Sequence, residues 1–282
     1  MQIKNLAVAG LLLGALALPC RGDEVSSKGR DIFNQNRHAV VTVEVVIKAS
    51  APGGRSTESK QEITGTVLDP SGLTVLALSA CDPAEMYRRV SPDYKIEIEV
   101  SDVKILLEDG TELPAQIVLR DKDLDLAFIR PKTKPAQPMQ AVDFSKSETA
   151  QLLDPVITLA RLNKAASRSY AASVVRISSV IDRPRTFYIP GSNMSSTELG
   201  SPAFTLDGKV LGIFVMRAVS GAGGSSFNYR QNITSIILPA ADVLKAAKQA
   251  PEVKPDAEKS QDSSDTDKPK ESDSSKKTDA TE

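Results

Sequence analysis

Short runs of β-branched residues, separated by glycine, proline and aspartate, dominate the chain between residues 27 and 249. Valine, isoleucine and threonine favour pleated strands, and turn residues at close intervals leave room only for short ones. The predicted strands cover residues 39–47, 63–68, 73–78, 104–107, 115–119, 126–129, 156–159, 173–177, 186–189, 210–215 and 233–238. Residues 240–249 predict a closing helix. The pattern predicts an all-β fold, either a pair of antiparallel barrels or a sandwich.

The first 22 residues differ in character from the rest of the chain. Lys4 precedes an apolar run over residues 6–18, and this order is typical of a secretory signal peptide. The run is too short for a membrane span. We therefore predict cleavage after Gly22 and an exported mature chain, periplasmic or extracellular, with no integral membrane span. The alternative is a lipoprotein acylated at Cys20, which Pro19 disfavours.

Residues 250–282 form a predicted disordered tail. From Pro251 onward the composition is mainly Lys, Asp, Glu, Ser, Thr and Pro, and Val253 is the only large apolar residue. Such a segment buries too little apolar surface to offset the entropy of ordering. A spacer role and a specific binding role both remain open. The predicted organisation is a signal peptide over 1–22, a folded domain over 23–249 and the tail.

Composition excludes several classes of site. The net charge is −1, and no basic, aromatic-rich stripe is present, so nucleic acid is not an expected partner. After cleavage only Cys81 remains, which excludes an internal disulfide. Because His38 is the only histidine, a Cys/His zinc site is excluded as well. We expect neither a metal nor a cofactor.

Residues 198–202 read Glu-Leu-Gly-Ser-Pro and are followed at 205–213 by Thr-Leu-Asp-Gly-Lys-Val-Leu-Gly-Ile. Together they resemble the G-N-S-G-G-P-L…L-D-G-x-V-I-G-I stretch of the HtrA (Deg) family of trypsin-fold serine proteases. Further resemblances follow in the family's order across the folded region, at residues 65–73, 107–115, 123–129 and 236–239. The resemblance implies a trypsin-like double β-barrel with its active-site cleft between the barrels.

The family mechanism needs a nucleophilic hydroxyl, a histidine that takes its proton and a buried aspartate that orients the histidine. Aligned on this family, the nucleophile position falls on Leu199 and the histidine position on Ser79, whereas Asp125 keeps the aspartate. Thr197 replaces a glycine that shapes the oxyanion hole, which puts a Cβ at a tight backbone turn. The resemblance therefore implies a protease fold without an intact catalytic set.

Four other side chains have alternative interpretations. Ser201 lies two residues past the lost nucleophile and is the candidate substitute, although nothing in the sequence places a lysine or histidine beside it. His38 precedes the first strand and is interpreted as an exposed or edge histidine. Cys81 is interpreted as an inert buried thiol rather than a reactive one. Asp125, without a histidine, is expected to bind backbone groups or Ser79.

Three functions are compatible with these residues. The first is an exported pseudoprotease that binds peptide or protein partners in the cleft or along a strand edge, or regulates an envelope process. The second is an active serine endopeptidase with displaced catalytic residues. The third is a structural envelope component. Partner identity and assembly into a homo-oligomer stay open.

Overall fold

The computed structural model describes residues 23–54, 56–84, 95, 97–192, 195–218 and 233–253. The predicted signal peptide, Cys20 and all of the polar tail beyond residue 253 lie outside these residues. Two closed antiparallel barrels of six strands each make up most of the structure. The all-β double-barrel prediction is confirmed, and the sandwich alternative is wrong.

The first barrel closes in the order β1-β2-β3-β6-β5-β4. Its strands are β1 (Val40–Ser50), β2 (Ser56–Val67), β3 (Thr74–Ala77), β4 (Glu97–Leu106), β5 (Glu112–Asp121) and β6 (Leu126–Pro131). Valine and isoleucine side chains from β1, β2 and β4, among them Val43, Val67 and Ile105, form the buried interior. Alternation along each strand sends every second side chain into the barrel, as expected for closed sheets.

The second barrel closes in the order β10-β11-β12-β9-β8-β7. Its strands are β7 (Pro155–Arg161), β8 (Tyr170–Ile181), β9 (Phe187–Pro190), β10 (Pro202–Thr205), β11 (Val210–Ala218) and β12 (Ile233–Pro239). A buried cluster of its own fills the second barrel and includes Phe214. A third buried cluster joins the two barrels, with Ala77 and Leu126 from the first and Leu199 and Val215 from the second. The region around Ala77 and Leu199 is therefore built by both barrels.

The described fold also contains the α-helices α1 (Glu24–Asn36), α2 (Leu78–Cys81) and α3 (Ala240–Ala247). Short 3₁₀ turns lie at Arg37–Ala39, Lys164–Ala166 and Ser196–Glu198. Asp23 caps α1, because its carboxylate accepts hydrogen bonds from the Val25 N–H at 3.2 Å and the Ser26 hydroxyl at 2.6 Å. Helix α1 buries Ile32 against the shared cluster. No helix among the described residues is long and apolar enough to cross a membrane.

The observed elements differ from the predicted ones in several places. Strands β2 and β4 begin at Ser56 and Glu97, seven residues before their predicted starts, and Leu78, predicted as the end of a strand, begins α2. Helix α1 was not predicted, because its few apolar residues lie in a polar segment next to the expected cleavage site. Strand β10 was not predicted either, because it is four residues long and begins at a proline. The closing helix ends at Ala247 rather than residue 249.

Pro251 and Glu252, assigned from the sequence to the tail, contact the Arg130 side chain of the first barrel.

Candidate functional site

Asp125 lies in the turn that joins β5 and β6, directly before β6 begins. Its φ of +58° is in the left-handed region, which aspartate tolerates better than most residues. The residue is 6% exposed. Backbone pairing explains its position: Ala77 of β3 is opposite Leu126 of β6, and the Leu78 N–H donates to the Asp125 carbonyl at 2.9 Å. The turn therefore holds the Asp125 carboxylate beside the start of α2.

Hydrogen bonds from both barrels converge on the Asp125 carboxylate. The Ser79 N–H donates to Oδ1 at 2.7 Å, and the Ser79 hydroxyl donates to Oδ2 at 2.8 Å. From the second barrel, the Met216 N–H donates to Oδ2 at 2.7 Å. The prediction that Asp125 binds backbone groups or Ser79 is confirmed. Asp125 thus links α2 of the first barrel to β11 of the second.

At the position where the resemblance places the triad histidine, Ser79 donates its hydroxyl proton to the aspartate, to which a triad histidine would donate a ring N–H. An imidazole can donate one ring N–H to the aspartate and use its second nitrogen to take a proton from a nucleophile. A serine hydroxyl has a single proton, and here the hydroxyl donates it to Asp125. The Ser79–Asp125 pair holds two elements together but offers no basic nitrogen.

Leu199 follows a 3₁₀ turn (Ser196–Glu198) and precedes β10. It is 7% exposed and belongs to the buried cluster shared by the two barrels. The loop around it is fixed from β2: the Thr64 hydroxyl donates to the Thr197 carbonyl at 2.7 Å, and the Thr66 hydroxyl donates to the Gly200 carbonyl at 2.7 Å. Leu199 packs as a core residue at the position where the resemblance places the nucleophile.

Thr197 lies inside the 3₁₀ turn, and its hydroxyl is 2.7 Å from the Ser195 Oγ. Ser195 and Glu198 form a capping box, in which the Ser195 N–H donates to Glu198 Oε2 at 2.7 Å. Side-chain hydrogen bonds therefore close this loop on itself. The loss of an oxyanion hole at Thr197 stays a prediction from the sequence.

Gly200 is the one residue of this loop whose backbone demands glycine. Its φ is +86°, and a Cβ there would lie 2.3 Å from the Thr64 carbonyl oxygen. Its N–H donates to the Phe214 carbonyl at 2.8 Å. Close approach to β2 and β11 therefore fixes the path of the loop between the barrels.

Ser201, the candidate substitute nucleophile, has an exposed fraction of 0%. Its Oγ has no hydrogen-bond partner among the described residues, and its carbonyl accepts from the Phe214 N–H at 3.0 Å. A nucleophile must reach a bound carbonyl and pass its proton to a nearby base. This hydroxyl is sealed in the core and meets neither requirement.

His38 and Cys81 lie away from any catalytic arrangement. The His38 ring is 39% exposed and contacts the Glu108 carboxylate at 2.8 Å and the Tyr170 hydroxyl at 3.3 Å. Cys81 has an exposed fraction of 0%, and its thiol donates to the Leu78 carbonyl at 3.3 Å. Burial raises the pKa of the Cys81 thiol to about 12. His38 is a partly exposed histidine and Cys81 is a buried thiol, as interpreted, and the inertness of that thiol stays a prediction.

A cavity of about 290 Å³ opens beside Asp125, at the boundary of the two barrels. The β5–β6 turn and β11 supply most of its walls. Its charged lining consists of three cations and two carboxylates: Lys122, Arg185, Arg217, Asp123 and Asp125. The Arg217 guanidinium lies 4.9 Å from the centre of the Phe187 ring, which fixes one wall.

Sequence reasoning missed Arg185 and Arg217, because neither belongs to a recognisable motif. Both arginines lie in the second half of the chain, on segments that the resemblance places beside the cleft between the barrels. That position could have identified them as candidates. In the described part of the chain, no group of three or more His, Cys, Asp or Glu side chains is arranged to hold a metal ion.

Comparison with known proteins agrees with this geometry. A family model for the trypsin-like peptidase domain matches residues 36–213. One relative is described as "Probable periplasmic serine endoprotease DegP-like" from Rickettsia prowazekii (strain Madrid E). It is 23% identical over 205 residues, which cover 68% of this chain and 36% of the relative. This chain therefore spans about a third of the length of that relative.

Proposed function

The chain belongs to the trypsin-like peptidase family, in which it is similar to an HtrA/Deg-type relative, and we propose that it is an exported, catalytically inactive member that binds peptide or protein segments. The observation that carries the loss of activity is the 2.8 Å hydrogen bond from the Ser79 hydroxyl to Asp125. With a hydroxyl in the place of the histidine, no group takes a proton from a nucleophile.

The nucleophile position supports the same proposal. Leu199 has no lone pair and no transferable proton, and its side chain is buried between the barrels. The buried Ser201 does not replace it. Ser79 and Leu199 together argue against acyl transfer through this cleft, which disfavours an active endopeptidase with displaced residues.

Peptide binding is supported by the cavity beside Asp125. Its 290 Å³ is large enough for one or two side chains, and β11 forms one wall. A cleft lined by strand backbone and a few charged groups suits an extended peptide, because main-chain hydrogen bonds give affinity and pockets select side chains. Its lining holds three cations against two carboxylates, and the Asp125 carboxylate already accepts three hydrogen bonds, so the cavity favours a peptide with an acidic side chain.

Export is supported by two observations. The first 22 residues carry a basic residue, an apolar run and small residues in the order of a signal peptide. The relative from Rickettsia prowazekii is described as periplasmic. We propose that the folded domain works outside the cytoplasm, in the periplasm or beyond it.

The proposal is tested with peptides derived from β-casein as probes, measured by fluorescence anisotropy and by mass spectrometry of the peptides afterwards. We expect binding without cleavage. Arg185→Glu combined with Arg217→Glu reverses the charge of the cavity rim and should weaken binding of acidic probes at least about tenfold. Lys132→Glu combined with Lys209→Glu reverses two charges at exposed positions outside the cavity lining; this matched control should leave binding unchanged.

Three outcomes decide between the functions. Binding that depends on Arg185 and Arg217 supports the peptide-binding function. Cleaved probes contradict the proposed inactivity. Absence of binding over the whole probe set contradicts the binding role and favours a structural component of the envelope.

A further inference from the structure

Strand β2 has an edge that the barrels leave open. It pairs with β1 along its whole length, from Ser50 opposite Ser56 to Val40 opposite Thr66. In the part of the chain that the structure describes, it pairs with β3 only at Thr66 and Val67. The outer half of β2, from Ser56 to Gln61, therefore has β1 on one side and no described strand on the other. All of its residues are exposed.

The open edge ends where the second barrel begins to cover β2. Glu62 accepts from the Arg168 guanidinium at 2.6 Å and from the Lys164 N–H at 2.8 Å. The Thr64 hydroxyl donates to the Thr197 carbonyl and, at 3.2 Å, to the Arg161 carbonyl. Contacts within the molecule thus occupy β2 from Glu62 inward, and residues 56–61 project beyond them.

Exposed strand edges present unpaired N–H and C=O groups and attract another strand. The charges on this edge select which strand fits. Glu58 and Lys60 are two residues apart, so their side chains lie on the same face of β2. When two copies of β2 pair antiparallel about Ser59, each Glu58 lies directly opposite the partner's Lys60. The two-fold axis creates this pair twice.

Other registers of self-pairing are less favourable. An axis at Glu58 or at Lys60 places two like charges directly opposite each other, which destabilises a strand pair. An axis at Gln61 would pair Lys60 with Glu62, whose side chain is only 14% exposed and is covered by Arg168. Lys60 also has a partner in its own chain, Glu44, but its side chain is 61% exposed and stays accessible to a second carboxylate. Within residues 56–61, registers that place the axis between residues gain no directly opposed pair of opposite charges. The axis at Ser59 is thus the one that the charges favour.

We propose that the edge of β2 over residues 56–61 is a homodimer interface, in which two copies of the chain pair antiparallel about Ser59. The sheet then continues from β4 through β1 and β2 of one copy into the same strands of the other. The inference does not depend on the proposed peptide-binding function, because the cavity beside Asp125 shares no residue with this edge. The buried surface is small, so we expect a dissociation constant of the order of tens of micromolar.

Sedimentation equilibrium of the chain from residue 23 onward, which contains every described element, measures this association. Glu58→Lys places lysines opposite one another twice per dimer and should raise the dissociation constant about tenfold or more. The matched control is Glu99→Lys, the same charge change at an exposed position of β4, which pairs with β1 on the side opposite β2. This control should associate like the unchanged chain. Raising the salt concentration should weaken the dimer, because both ion pairs are exposed.

A mixing experiment tests the register directly. Lys60→Glu is combined with Glu44→Gln, because Lys60 binds the buried Glu44 carboxylate at 2.7 Å and a second carboxylate there would strain the fold. Alone, Glu58→Lys and the combined variant should each dimerise about tenfold more weakly than the unchanged chain or worse. Mixed in equal amounts, they should form a heterodimer with both ion pairs restored and an affinity within about threefold of the original. Glu44→Gln alone should dimerise like the unchanged chain.

Several results would overturn the proposal. One is a chain that stays monomeric at concentrations about ten times the expected dissociation constant. Another is a dimer that tolerates Glu58→Lys, which would place the interface elsewhere, for example at the exposed leucines Leu152 and Leu153. A mixture that fails to form the heterodimer would reject the register about Ser59. Thermal melting of each variant verifies that the fold is intact.

Discussion

Ser79 binds Asp125 at two points: its hydroxyl donates to one carboxylate oxygen at 2.8 Å, and its backbone N–H donates to the other at 2.7 Å. A third donor, the Met216 N–H, reaches the same carboxylate from the second barrel at 2.7 Å. The charge that would orient a histidine in a working triad here accepts hydrogen bonds that hold two barrels in register. We propose that the role of Asp125 is structural, so its loss should be visible in stability.

Asp125→Ala should lower the free energy of unfolding by about 3 kcal/mol, because it leaves the buried N–H groups of Ser79 and Met216 without their acceptor. Ser79→Ala removes only the hydroxyl bond and should cost about 1 kcal/mol. Urea unfolding followed by circular dichroism measures both values. Equal costs for the two variants would show that the carboxylate does not hold the barrels together.

Gly200→Ala should destabilise the fold far more than Gly110→Ala, although both residues have a φ of +86°. Each substitution carries the cost of a left-handed alanine, about 1 kcal/mol. At Gly200 the new Cβ would also lie 2.3 Å from the Thr64 carbonyl oxygen, whereas at Gly110 nothing lies within 4 Å. We expect a total cost of about 3 kcal/mol or more at Gly200. Matching melting temperatures for the two variants would refute the close packing of this loop.

The Cys81 thiol should be unreactive in the folded protein. Burial raises its pKa from 9.0 to about 12, so the native thiol stays protonated where an exposed one ionises. Dithionitrobenzoate at pH 8 should label it only after urea is added. Rapid labelling without denaturant would show that Cys81 is accessible.

The raised pKa of the Cys81 thiol also makes the stability of the fold depend on pH. The folded-state pKa lies above the unfolded one, so the unfolded chain loses the proton first as pH rises. The contribution to stability is complete below pH 9 and is lost as pH rises towards 12. Cys81→Ala should flatten this part of the pH profile measured by urea unfolding. An unchanged slope in the variant would assign the loss to other groups.

The contacts of Arg130 with the first residues of the tail should stabilise the fold. Its buried guanidinium donates to the Pro251 carbonyl at 3.1 Å and lies 2.9 Å from the Glu252 carboxylate. A chain ending at Gln249 loses both partners, and its free energy of unfolding should be about 1–2 kcal/mol lower than that of the full chain. A chain ending at Val253 retains them and should match the full chain. If both truncations melt alike, the contact carries no stability.

The strand pattern predicted an all-β fold because most strands carry a local signal, and the family resemblance selected the double barrel over the sandwich. Runs such as Val40–Ser50 combine β-branched residues with turn residues at their ends. Closure of the first barrel also needs pairs of strands that are not consecutive in the chain, β1 with β4 and β3 with β6. Strand β10 was missed because four residues beginning at Pro202 carry no periodic signal. It is a strand because β7 and β11 flank it on both sides.

The site could be predicted only in part for a similar reason. Motif positions singled out Ser79, Asp125 and Leu199, but the Met216 N–H that completes the carboxylate contacts is a backbone group with no sequence signature. Likewise, the burial of Ser201 depends on strands far away in the chain. Contacts of this kind are set by tertiary packing, which a single sequence read locally does not contain.

Inactivity is tested most directly by fluorophosphonate labelling of purified residues 23–282, read out by intact mass, with an active HtrA-type protease as positive control. We expect no adduct under conditions that label the control fully, because Leu199 has no nucleophilic atom, Ser201 is buried and Ser79 is bound to Asp125. A stoichiometric adduct that Ser201→Ala or Ser79→Ala abolishes would contradict the pseudoprotease proposal and identify a working nucleophile.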